Sequence, residues 1–239
     1  ISGTGTSSDV TISAGGTTES QTSSGKISII SGQVSNNGGG SSGHITFASA
    51  DAIESSGALY VASGTASNLA SGAVLVSSGK SHDGSAGTMT IKAGDASKGG
   101  SVDILAGSST NDFGGHISIQ TGQSNIDSSG SLELITSEGV ESGNVILRTG
   151  SASAGETGSI YIESGNSWED QAGEIQFNVG HGTSGFGASI VMTAGDSVAD
   201  GGSISLITGA SNSGVTGALR LSSKGGGSSG AVSLSSGSS

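Results

Sequence analysis

Three aspartates in polar linkers are the residues of this sequence whose type and spacing best fit a binding chemistry. Asp83, Asp127 and Asp170 follow one another at intervals of 44 and 43 residues, so a repeating fold would place them in one column. Stacked carboxylates repel one another unless a cation separates them, and Ca²⁺ takes six to eight oxygen ligands. The three residues are therefore a candidate Ca²⁺ site. The interpretation that we favour is a solvated acidic edge that keeps the protein soluble, with no cofactor.

Nucleophilic catalysis has no comparable support in the sequence. The histidines at 44, 82, 116 and 181 lie in different segments or linkers, and no two of them are expected on one face at neighbouring levels of a repeating fold. The chain has no cysteine, which excludes disulfides and thiolate metal sites. Glycine-rich phosphate loops need a helix N-terminus, and no stretch of useful length has helical periodicity. We therefore predict a protein that is not an enzyme.

The charge balance argues against nucleic acid and anionic membranes as partners. The chain carries 7 Lys+Arg against 19 Asp+Glu, a net charge of −12. Both nucleic acid and the anionic face of a bilayer attract basic segments instead. No apolar run reaches the ~18 residues that a spanning helix needs, so no membrane insertion is predicted.

One eight-residue pattern organises the whole chain. It reads Gly-x-φ-x-φ-x-(Ser/Thr/Ala)-Gly, where φ is aliphatic or Phe, and we number its positions 0 to 7. Sixteen copies begin between Ser8 and Gly230, for example Gly115-His-Ile-Ser-Ile-Gln-Thr-Gly122. Apolar residues at alternate positions are typical of a half-buried strand, and the Gly/Ser/Asn/Asp-rich linkers between copies are typical of turns.

The spacing of the copies indicates a larger unit. Every third copy, from Gly43 onward, begins 43 or 44 residues after the last. We therefore predict an all-β, right-handed parallel β-solenoid (a β-helix) with three sides and about 43 residues and three strands per coil. The alternatives are a solenoid with one 14–15-residue repeat per coil and an antiparallel sandwich or prism. Residues 1–239 then form a single domain, a segment of a longer repetitive chain.

One outward face of this predicted solenoid carries large apolar residues. Tyr60, Leu105, Ile146 and Val191 gather there, at positions 3 and 5 of their copies. An apolar patch of this sort can mark a protein contact. We therefore predict that these four residues form an interface for lateral packing against another chain.

The repeats, as in Gly202-Ser-Ile-Ser-Leu-Ile-Thr-Gly209, resemble the Gly/Ser-rich solenoid repeats of extracellular fibres, adhesins and matrix proteins. That resemblance covers the whole chain and implies an extracellular or cell-surface structural role without catalytic residues. The expected function is a building block of a fibre, filament or adhesin stalk that associates end to end or laterally through stacked β-coils. The alternative is a solenoid that binds a surface, a glycan or ice through one outer face.

Overall fold

The computed structural model describes residues 9–18, 24–34 and 40–237 and contains no α-helix and no β-strand within those ranges. The predicted β-solenoid, or β-helix, is therefore wrong, both with three sides and with one repeat per coil, and so is an antiparallel sandwich. Each of these folds requires ladders of backbone hydrogen bonds between neighbouring segments. The backbone–backbone hydrogen bonds of the described chain instead join pairs of glycines at the ends of linkers.

A hydrophobic core is also missing from the described residues, since no hydrophobic or polar residue there is buried. The accessible surface of the chain is 24581 Å². A compact monomer of 22.6 kDa would expose only about 9,500 Å². Each copy contributes two large apolar residues, and without a second layer against them these side chains stay in water.

The 14–15-residue repeat is nevertheless present as a series of bends. Between residues 53 and 228 the backbone bends sharply in every linker, and successive bends begin 14 or 15 residues apart. The prediction that the polar linkers are turns is therefore confirmed. Two bends end on glycines with positive φ, Gly155 at 89° and Gly185 at 81°, a conformation that glycine adopts without steric cost.

The residues that are partly sheltered from solvent all occupy position 6 of the repeat. Every other described residue is exposed; the sheltered ones are Ala14, Ser31, Ala93, Thr121, Thr136 and Ala194. Position 6 is where the sequence pattern requires a small residue. The residue at position 6 lies beside the glycine that opens the next copy; Ala93, for example, lies beside Gly100. The small residue and the following glycine therefore form a minimal contact between consecutive copies.

The chain divides into two units, Ile1–Ile119 and Gln120–Ser239. The same arrangement of apolar segment, small residue and bent linker recurs within each unit. None of the described residues belongs to a helix long and apolar enough to cross a membrane.

Candidate interaction surface

A glycine–glycine hydrogen bond closes many of the linkers into loops. The N–H of the glycine at position 0 donates to the C=O of the glycine at position 7 of the preceding copy, and we call this pair a neck. The described residues form seven necks, with N···O distances of 2.8 to 3.3 Å: Gly25–Gly15, Gly43–Gly32, Gly100–Gly94, Gly115–Gly107, Gly130–Gly122, Gly202–Gly195 and Gly217–Gly209.

Five of the seven necks need glycine at position 0, because a Cβ there would lie less than 3.4 Å from its nearest neighbour. A Cβ added to Gly25 would lie 3.0 Å from Ala14 Cβ, and one added to Gly202 would lie 3.2 Å from Gly195 N. Real Cβ atoms rarely tolerate such distances, so a side chain at these positions would displace the backbone. In these five necks the Gly at position 0 therefore has a steric reason that is independent of any solenoid, whereas a Cβ on Gly43 would meet its nearest neighbour at an ordinary 3.6 Å.

A serine side chain organises the interior of six loops. In each of them the serine lies two residues after the position-7 glycine, and its Oγ accepts the N–H of a residue two or three places further on. These serines are Ser81, Ser109, Ser124, Ser167, Ser197 and Ser211. At Ser109, Ser124 and Ser211 one hydroxyl accepts two backbone N–H groups. The hydroxyl thus replaces backbone partners that the loop lacks.

Aspartates in three of these loops also bond to the local backbone. The Oδ1 atoms of Asp112, Asp127 and Asp170 accept the N–H of the next residue at 2.7 to 2.8 Å. Asp83 lies only two residues after its serine, Ser81, whereas the other three aspartates lie three residues after theirs. In that loop Gly84 is the third residue after the serine and donates to its Oγ. Two of the three carboxylates proposed to bind Ca²⁺ therefore have a local structural role.

The structure does not group the three predicted metal ligands. Asp83, Asp127 and Asp170 lie in separate exposed loops, and no three Asp, Glu or His side chains of the described residues could hold one ion. The column depended on stacked coils, and the coils are absent. A Ca²⁺ site at these residues remains a prediction from sequence spacing without support from the geometry.

Side-chain exposure within each copy follows the predicted alternation. In the copy from Gly158, the side chains of Ile160, Tyr161 and Ile162 are 48%, 88% and 60% exposed. In fifteen of the sixteen copies position 2 is also less exposed than position 4. The polar side of one copy is continuous, since the amide of Gln176 donates to Glu174 and that of Asn178 to Gln176. Alternate residues therefore lie on opposite sides of a segment.

The four predicted interface residues are all exposed, by 74% to 90%. Tyr60 and Leu105 belong to the first unit and Ile146 and Val191 to the second. Within the second unit, Val191 lines a groove of about 460 Å³ with Phe177, Ile190 and Met192. Two consecutive copies form this groove, which is apolar and open to solvent.

Most loops also expose one large apolar side chain. The loop residues Phe113 and Trp168 are 95% and 94% exposed. In five of the six serine-organised loops such a residue stands within four positions of the serine: Phe113, Ile126, Trp168, Val198 and Val215. The loops thus present single apolar residues on short, hydrogen-bonded turns.

The serine turn has a sequence signal that the eight-residue pattern does not include. The signal is Gly-x-Ser followed by Asp or Gly three residues after the serine, as in Gly107-Ser-Ser-Thr-Asn-Asp112. Three other loops have alanine at the serine place: Ala66, Ala96 and Ala152. The loop that contains Ala96 still closes at the Gly94–Gly100 neck, so the neck forms without the serine.

Comparison with known proteins gives no matching family model. It also gives no similar curated protein and no similar solved structure. The repeat, the necks and the exposed apolar segments are therefore the features of this chain that bear on its function.

Proposed function

We propose that this chain is a structural protein, a building block of an extracellular or cell-surface fibre, filament or adhesin stalk. Self-association of its repeats supplies the mechanical continuity. Stacking of β-coils within one chain has no part in this proposal. The extracellular location rests on the resemblance of the repeats to those of fibre and adhesin proteins.

The observation that carries the proposal is the regular exposure of apolar segments, with no core among the residues that the structure describes. The accessible surface of 24581 Å² exceeds that of a compact monomer of this mass by about 15,000 Å². A standard protein interface buries about 800 Å² per partner. The excess therefore exceeds what one ordinary interface covers, as expected of a chain that meets several neighbours along its length.

The distribution of charge supports association through the segments. Fourteen of the 19 acidic residues lie in linkers, so the loops carry most of the repulsion between chains. The segments carry few acids: Asp9, Asp103, Glu133, Glu163 and Glu174. Apolar, weakly charged segments separated by acidic loops favour ordered contacts over unspecific collapse.

Electron microscopy and sedimentation of the purified chain over a range of concentrations test this proposal. We expect filaments or other ordered assemblies of uniform width above a threshold concentration. Monomers at every concentration, in low and in physiological salt, would refute the structural role. Monomers that instead coat a glycan or another surface would favour an adhesive role for the exposed loop residues Phe113 and Trp168.

A further inference from the structure

We infer that the apolar segments pair through their main chains with the same segments of a second copy of this chain. The inference rests on the proposed function and identifies the partner and the groups that join it. A segment here is the run from position 1 to position 6 of one copy, such as residues 116–121.

The unpaired backbone is the first argument. In the described part of the chain, backbone–backbone hydrogen bonds occupy necks, at positions 0 and 7. The N–H and C=O groups between the necks bond to no other backbone group there. Extended backbone with free donors and acceptors is a template for pairing with another chain. The necks therefore use only the backbone groups at the two ends of a segment, and the groups between them are available to another chain.

The alternation of side chains is the second argument. Positions 2 and 4 place two apolar residues on one side of each segment, as Ile117 and Ile119 do in the segment 116–121. Two equal segments that pair main chain to main chain bring their apolar residues to one common face. A second layer can then cover that face, and the pairs that are now half exposed become buried.

The available area favours a second copy as the occupant. The sixteen segments repeat along the chain, so a second copy offers a matching segment for each one. A second copy that pairs along the whole chain can cover far more of the excess surface of about 15,000 Å² than a partner with an ordinary interface of about 800 Å². An unrelated compact partner would leave most segments in water.

The charges indicate where the copies meet. The segments 116–121 and 203–208 contain no acidic residue, so two copies bring no like charges together there. The neighbouring loops contain Asp112 and Asp127 or Asp196 and Asp200, and like charges placed opposite one another are destabilising. Contact therefore occurs at the segments, with the loops of the two copies displaced from each other.

Proline substitutions in the full chain test the pairing, because proline removes a backbone donor and blocks a ladder. The segment variant combines Thr90→Pro, Ser118→Pro, Ser205→Pro and Ser233→Pro, all at position 3, and keeps every apolar residue. The control variant combines Ser55→Pro, Ser97→Pro, Ala154→Pro and Ser228→Pro, all in loops and none donating a backbone hydrogen bond in the structure. Assembly is followed by sedimentation, and chain pairing by the amide I infrared band.

The segment variant is expected to raise the concentration needed for assembly by about tenfold or more, since it removes four ladder donors. The loop variant is expected to assemble like the unsubstituted chain, whose infrared spectrum gains a paired-strand band on assembly. Equal assembly of both variants, or assembly without that band, would overturn main-chain pairing and leave self-association standing. Failure of the unsubstituted chain to assemble would refute the proposed function together with this inference.

Discussion

Removing one loop hydroxyl, by Ser109→Ala, should loosen a single turn and leave the rest of the chain unchanged. Ser109 Oγ accepts the N–H of Asp112 at 2.9 Å and that of Asn111 at 3.3 Å. The alanine variant leaves both donors to solvent. Three loops of the natural sequence, around Ala66, Ala96 and Ala152, already lack this hydroxyl.

The expected size of the effect follows from these two bonds. A net hydrogen bond contributes about 0.5–1.5 kcal/mol, and exposed bonds fall at the low end because water replaces the lost partner. The 3.3 Å bond is long and adds little. We therefore expect a loss of about 0.5–1 kcal/mol in the stability of the closed loop, which corresponds to roughly two- to fivefold faster exchange of the Asp112 amide.

Amide hydrogen exchange followed by NMR measures this change residue by residue. Ser108→Ala is the matched control, because Ser108 is the adjacent serine in the same loop and its hydroxyl makes no hydrogen bond in the structure. Ser109→Thr keeps a hydroxyl and should restore slow exchange. If the Asp112 amide exchanges equally fast in the Ser109→Ala and Ser108→Ala variants, the serine turn does not hold the loop.

The other predictions concern the necks, the absent core, the net charge and the metal hypothesis. Gly202→Ala should speed exchange of the residue 202 amide, because its Cβ would lie 3.2 Å from Gly195 N, whereas Gly143→Ala, with its nearest contact at 3.7 Å, should not alter its own loop; equal effects would remove the steric argument. Urea should produce no cooperative transition in the dilute monomer, since little surface remains to be exposed, and a sharp transition in circular dichroism would contradict the exposed state. Raising the salt concentration from 0.01 to 0.15 M should lower the threshold for assembly, as screening weakens the repulsion of a net charge of −12; light scattering that is independent of salt would count against association between like-charged chains. EDTA should leave assembly unchanged, because no three described acidic residues or histidines share one site, and dissolution of the assemblies would revive the Ca²⁺ site at Asp83, Asp127 and Asp170.

The local features of the structure could be predicted from the sequence because they depend on neighbouring residues. The bends fall in the polar linkers, the small residue at position 6 meets the next glycine, and Tyr161 is more exposed than Ile160 and Ile162. Each of these follows from residue size, glycine geometry or period-two alternation. The order of residues over a stretch of 7 to 15 positions is therefore enough to predict these local features.

The long-range arrangement could not be predicted in the same way. Alternation at Ile117 and Ile119 indicates that a segment has an apolar side, but the same alternation suits a partner in the next coil and a partner in another chain. The 43-residue spacing indicates that the copies recur regularly. It does not indicate whether contacts between successive coils would be strong enough to hold them together. The serine turns were missed because Ser is so abundant that Gly-x-Ser at Ser109 or Ser211 did not stand out from other serines.

The necks have a consequence for how this chain tolerates change. The Gly94–Gly100 neck encloses five residues and the Gly209–Gly217 neck seven, yet their N···O distances are 3.1 and 3.0 Å. Loop closure costs only about 0.6 kcal/mol for each doubling of length. Insertions, deletions or grafted peptides within a loop should therefore leave the two glycines, and the segments beyond them, in place. Gain or loss of one whole copy would then change the length of the chain and leave the remaining copies as they are.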